Sequence, residues 1–66
     1  MDIDDRFIAP DEAARLLGIK THTLAEWRRL KKGPEYVRIN DRTVRYNLKK
    51  LRAWIDSHIV KSEEQI

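Results

Sequence analysis

The largest group of side chains able to do chemistry in this chain of 66 residues is cationic, with 14 Lys and Arg against 11 Asp and Glu. Between Lys20 and Arg52 stand eleven Lys and Arg against three acids, a local balance of +8. The residues before that stretch sum to −3 and those after it to −2, which leaves the formal net charge of +3. A basic middle between acidic ends implies a face that neutralises a polyanion, more than an evenly solvated surface. Catalytic groupings fit poorly. There is no cysteine, which excludes disulfides, thiolate zinc sites and cysteine nucleophiles. His22 and His58 lack the spacing of a paired metal site, and Ser57 beside His58 would diverge from it on a helix. No glycine-rich phosphate loop is present. No independent enzyme activity, metal or cofactor is expected, so the chemistry on offer is binding.

The elements that must position these cations follow from punctuation and periodicity. A chain this short makes one domain, which buries only about 60% of the surface its unfolded form exposes. Pro10 suits a first helical position, Asp11 and Glu12 suit the first turn, and Gly18 suits a left-handed stop. A first helix is expected over 10–17, with Ala13, Ala14, Leu16 and Leu17 as its apolar face. A second helix begins somewhere within Lys20–Thr23, with Thr23 and Glu26 at capping-box spacing. Leu24, Trp27 and Leu30 form its apolar face, and Gly33-Pro34 ends it. Two β-favouring runs, Tyr36–Ile39 and Thr43–Tyr46, flank the polar turn Asn40-Asp41-Arg42 and predict a hairpin. Val37, Ile39, Val44 and Tyr46 are expected on one hairpin face, and Arg38 with Arg45 on the other. Asn47 suits the cap of a third helix over about 48–58, striped by Leu48, Leu51, Trp54, Ile55 and Ile59. The fold class is therefore α+β, mainly helical: a winged helix-turn-helix made of a helix-turn-helix, a β-hairpin wing and a C-terminal helix. Residues 1–6 are expected to be a flexible N-terminus, 7–59 the folded domain and 60–66 a flexible tail. No apolar run approaches the roughly 18 residues of a membrane span. The acidic start Met1–Asp5 is unlike a signal peptide. A soluble, cytoplasmic protein is expected.

The stretches Ala9-Pro10-Asp11-Glu12-Ala13-Ala14-Arg15-Leu16-Leu17-Gly18-Ile19 and Thr23-Leu24-Ala25-Glu26-Trp27 resemble the opening of excisionase-type winged helix-turn-helix proteins, relatives of the DNA-binding domains of MerR-type regulators. Arg38-Ile39 with Arg42-Thr43-Val44-Arg45-Tyr46 resembles that family's wing, and Leu51-Arg52-Ala53-Trp54-Ile55 its closing helix. The resemblance covers roughly residues 7–58 and lies in the ordered set more than in any one piece. Lys20 stands where the family often has Ser or Thr, and the wing tip is Asn-Asp-Arg instead of a Gly-rich turn. The resemblance implies double-stranded DNA as partner, with the second helix in the major groove and the wing on the backbone or minor groove. It also implies excision of a phage or mobile element, in which copies bind neighbouring sites cooperatively, bend DNA and assist an integrase. A small prophage-type transcriptional regulator is the second reading, and a protein-interaction module such as an inhibitor or antitoxin the third.

Early residues of a recognition helix meet base edges. The candidate contacts there are Lys20, Thr21, His22, Thr23, Ala25, Arg28 and Arg29. His22, Glu26 and Arg29 fall on one helical line, and Thr21, Ala25 and Arg28 on the next. Glu26 either caps the helix, pairs with a nearby Arg or reads a cytosine. The wing and its flank contribute Arg38, Arg42, Arg45 and Lys49, since Arg suits both phosphate forks and narrow minor grooves. Lys49 and Lys50 begin a helix, where cations oppose the dipole and gain from a nearby phosphate. Trp27 and Trp54 are expected in the core, and Trp54→Ala is expected to cost about 3–5 kcal/mol. Ala substitution of Arg28, Arg38 or Arg45 is expected to weaken DNA binding without unfolding the domain.

Overall fold

The computed structural model describes residues 5–59. Its elements run β1 (Phe7–Ile8), α1 (Pro10–Leu17), α2 (Thr21–Arg29), β2 (Val37–Asn40), β3 (Thr43–Asn47) and α3 (Leu48–Ser57). The expected winged helix-turn-helix is present, with one addition. Strand β1 completes a three-stranded antiparallel sheet in the order β1-β3-β2, which puts β3 in the centre. Two residues are too few to give an alternating pattern, so β1 left no signal in the sequence. Residues 5 and 6 make hydrogen bonds to the start of α3. The Arg6 carbonyl accepts the Leu48 N–H at 2.8 Å, and Asn47 Nδ2 donates to Asp5 Oδ1 at 2.8 Å. The expectations for residues 1–4 and 60–66 lie outside the described residues.

Helices α1 and α2 end on the same backbone device. After α1, Gly18 turns left-handed at φ 73°; its N–H donates to the Arg15 carbonyl, and the Ile19 N–H donates to that of Ala14. This pair of bonds satisfies carbonyls that the helix itself leaves unpaired. After α2 the same pair runs from Lys31 to Arg28 and from Lys32 to Trp27, with Lys31 left-handed at φ 61°. The second helix therefore stops at Arg29, ahead of Gly33-Pro34. Gly33 has a different duty. At φ 89° its backbone lies on the Trp27 ring, and a Cβ there would meet Trp27 Cε3 at 2.8 Å.

Helix α2 starts at Thr21, within the expected range. Lys20 is its N-cap, with no side-chain cap bond, so Thr23 and Glu26 form no capping box. Helix α3 opens as expected: Asn47 Oδ1 accepts the Lys50 N–H at 3.0 Å.

The core is small and every element except β2 enters it. Ile8, Ala13, Ala14, Leu24, Val44, Tyr46, Leu48 and Leu51 are buried. Tyr46, Leu24 and Leu51 are its largest fully buried side chains. Several stripe residues fall short of the core: Leu16, Leu30 and Ile59 are exposed, the last lying past the end of α3. Trp27 is half-buried and packs against the core, whereas Trp54 is half-buried against Trp27 and His58, with ring centroids 6.0 and 4.0 Å away. The two tryptophans thus seal one flank of the domain without filling its centre.

The expected hairpin facing is overturned. Val37 pairs with Arg45 and Arg38 pairs with Val44. Residues directly opposite in an antiparallel pair share a face. Arg38 therefore lies on the inner face with Val44 and Tyr46, and Arg45 on the outer face with Val37. A register shift between Arg38 and Asn40 leaves Ile39 without a partner. Phe7, Val37, Ile39 and Arg45 surround a shallow depression of about 350 Å³ on the outer face. The alternating pattern identified both strands, but it could not fix which faces meet across the turn.

Candidate nucleic-acid interface

On a helix each residue turns the side-chain direction by about 100°. With Leu24 buried, that rotation aims His22, Glu26 and Arg29 away from the protein, and all three are exposed. Thr21, Ala25 and Arg28 lie along one flank of this line, and Thr23 lies on the other flank with Trp27. The uncapped start of α2 places the exposed Lys20 beside backbone N–H groups of the first turn. Such an end suits an anion, because free N–H groups and the helix dipole both favour negative charge.

Glu26 resolves in favour of pairing. Its carboxylate accepts from Arg29 Nε at 3.2 Å and forms an ion pair with Arg29 Nη2. The Arg29 hydrogen bond holds the Glu26 carboxyl below its ordinary range, with a smaller contribution from His22, while desolvation opposes. The same bond raises the Arg29 guanidinium. Arg29 is thereby pre-oriented on the exposed line of α2.

Arg28 occupies a different environment. It is half-buried and its Nη1 donates to Tyr46 Oη at 2.9 Å. Its Cζ lies 5.8 Å from the centre of the Tyr36 ring and 6.0 Å from that of Tyr46. Arg38, on β2, places its Cζ 5.7 Å from the same Tyr36 ring. Tyr36 and Tyr46 are in turn 6.0 Å apart, tilted by 49°. The guanidinium groups of helix and wing thus converge on one aromatic pair.

The remaining wing residues are distributed unevenly. Arg42 is exposed in the hairpin turn, which Asn40 Oδ1 holds by accepting the N–H groups of Arg42 and Thr43 at 2.9 and 3.0 Å. Arg45 is half-buried on the outer face, and its Nη1 donates to the Val44 carbonyl at 2.7 Å. The structure therefore brings Arg28 and Arg38 together and turns Arg45 away from them. Lys49 is exposed on the first turn of α3, a turn with no acidic residue. Lys50 pairs with Glu35 at 3.5 Å.

Sequence reasoning overlooked Tyr36 as part of this surface and placed Tyr46 only on the apolar face of the hairpin. One signal was available. Tyr36 and Arg38 are two apart in an extended run, so their side chains share a face. The approach of Arg28 had no such signal, since it depends on how α2 packs against the sheet.

Among the described residues, no helix is long and apolar enough to cross a membrane. A protein family described as a helix-turn-helix domain matches residues 9–58 of the chain. No curated protein and no solved structure matches it.

Proposed function

The chain belongs to the helix-turn-helix domain family, a DNA-binding class, and on that footing we propose that it binds double-stranded DNA at a defined sequence and bends it. In this reading α2 enters the major groove, with Thr21, His22, Ala25 and Arg29 toward base edges and Lys20 toward a phosphate. The hairpin follows the neighbouring backbone through Arg38 and Arg42. Lys49 meets a phosphate at the start of α3, and Arg45 serves the hairpin more than the DNA. The supporting observation is the approach of Arg28 and Arg38 to the same Tyr36 ring, which brings a cation of the recognition helix and a cation of the wing together.

The biological role follows from the excisionase resemblance of the helix, wing and closing-helix segments. Bending DNA so that neighbouring copies and an integrase assemble on it fits a protein that acts by binding and performs no chemistry itself. Bending costs about 1–6 kcal/mol for a smooth site, offset by the added contacts. The test is a site selected by the chain from random duplexes, placed at different positions along a longer fragment. Position-dependent mobility of the complex is expected, together with stimulation of excision by the integrase of the same element. Position-independent mobility with intact sequence preference would remove bending and leave a simple transcriptional regulator.

A further inference from the structure

Tyr36 lies outside every helix and strand, in the short link between α2 and β2. A link residue of this kind is ordinarily free to vary. Here its half-buried ring is the meeting point of two cations from two elements: Arg28 of α2 at 5.8 Å and Arg38 of β2 at 5.7 Å from its centre. Tyr46 completes the group by accepting the Arg28 hydrogen bond from a fully buried position on the central strand. Arg28 is therefore anchored to the core at its tip and lies over Tyr36 on its flank. Arg38 is exposed, and the Tyr36 ring is the aromatic surface that fixes it.

We infer that Tyr36 is a positioning residue for DNA recognition: by holding Arg28 and Arg38 over one ring, it sets the distance and angle between the recognition helix and the wing. The inference rests on the DNA-binding reading. Major-groove contacts and wing contacts are made by separate elements, and both can be satisfied only if their spacing matches that of groove and backbone. A wing free to move would still attract phosphates, because its charge is unchanged. It would lose the register that distinguishes a chosen site from arbitrary DNA. The aromatic face carries this duty and the hydroxyl does not, so Phe should substitute for Tyr at this position. Arg28 uses both its planar face and a directional donor, so Lys should not substitute for it.

The test compares the wild-type chain with Tyr36→Phe, Tyr36→Leu, Arg38→Ala and the double variant Tyr36→Leu/Arg38→Ala. The probes are a duplex that the wild type selects from a random pool and an unselected duplex of equal length. Two cation–π contacts near the surface are worth about a 5- to 30-fold change in affinity. Tyr36→Leu should weaken binding to the selected duplex by that factor, with a much smaller effect on the unselected one. Its salt slope should stay within about one unit of the wild type, since the number of phosphates met is nearly unchanged. Tyr36→Phe should bind like wild type. In the Arg38→Ala background only the Arg28 contact remains, so the Tyr36→Leu penalty should shrink by about 2- to 5-fold. A penalty of equal size in both backgrounds, or equal losses on both duplexes, would show a purely structural role and overturn the inference.

If Tyr36→Leu fails to fold, the arginine side-chain NMR signals of the wild type decide. Ring-shifted, slowly reorienting Arg28 and Arg38 guanidinium groups support the inference, and positions matching a freely rotating arginine refute it. A wild type that binds neither duplex refutes the DNA-binding reading and this inference together. Wild-type binding with an unaffected Tyr36→Leu refutes the inference alone.

Discussion

Gly18 and Lys31 hold the same place in the same helix-ending device, and exchanging their characters should move stability in opposite directions. Both residues are left-handed, at φ 73° and 61°, and both donate the same pair of closing bonds with their successors. A residue with a Cβ gives up roughly 1–2 kcal/mol to adopt this conformation. Glycine avoids that cost but loses about 0.5–1 kcal/mol more backbone entropy on folding. Lys31→Gly should therefore stabilise the domain by about 0.5–1 kcal/mol. The loss of a cation near the helix C-terminus takes back about 0.3 kcal/mol. Gly18→Ala should destabilise by a similar amount to the gross gain. A Cβ at Gly18 would meet nothing within 4 Å, so backbone conformation is the whole effect. Urea unfolding followed by tryptophan fluorescence measures both, and each kcal/mol corresponds to a shift of about 4–8 °C in Tm for a domain of this size. Destabilisation by Lys31→Gly would refute the left-handed assignment at Lys31. A loss beyond about 3 kcal/mol in Gly18→Ala would exceed any backbone term and reveal a contact that the structure lacks.

Other consequences are equally direct. Tyr46→Phe removes the acceptor of Arg28 and should cost about 1 kcal/mol, since the half-exposed guanidinium recovers water; chemical denaturation checks it. Asn47→Ala removes both the α3 cap and the tie to Asp5, and thermal unfolding should register a loss of about 1–2 kcal/mol. Trp54→Ala should cost about 2 kcal/mol, less than a core tryptophan would, because the ring is half-buried against Trp27 and His58; the same denaturation assay distinguishes the two. The Glu26 carboxyl should titrate below the ordinary carboxylate range by NMR and return toward it in Arg29→Ala. A depressed carboxyl stabilises the fold above its unfolded pKa and loses that contribution as pH falls through the folded value. For this exposed pair the measurable sign is therefore a weaker Glu26–Arg29 link in acid.

Features set by local backbone rules were legible in the sequence. Pro10, Gly18 and Asn47 each announce a helix boundary through their own stereochemistry, and all three boundaries occur as expected. The basic middle and the outward line His22, Glu26, Arg29 are likewise consequences of spacing alone. What was hidden depends on packing between elements. Lys31 gives no composition signal for a left-handed turn. The pairing of Val37 with Arg45 depends on the bulge at Ile39, which periodicity does not see. Leu16 and Leu30 satisfy a helical stripe yet stay exposed, as a domain this small covers only part of its apolar surface. The Arg28–Tyr46 bond joins residues 18 apart, and only the docking of α2 on the sheet creates it.

In the proposed function the basic surface of α2 and the wing binds duplex DNA through its phosphates. The most direct measurement is affinity for a selected duplex across a series of salt concentrations. About six neutralised phosphates predict a log–log slope near −5, and a single Lys20→Ala or Arg38→Ala substitution should reduce its magnitude by about one. A slope near zero, or no binding to duplex DNA at low micromolar protein and low salt, would rule out phosphate-led DNA binding and direct attention to a protein partner for this surface.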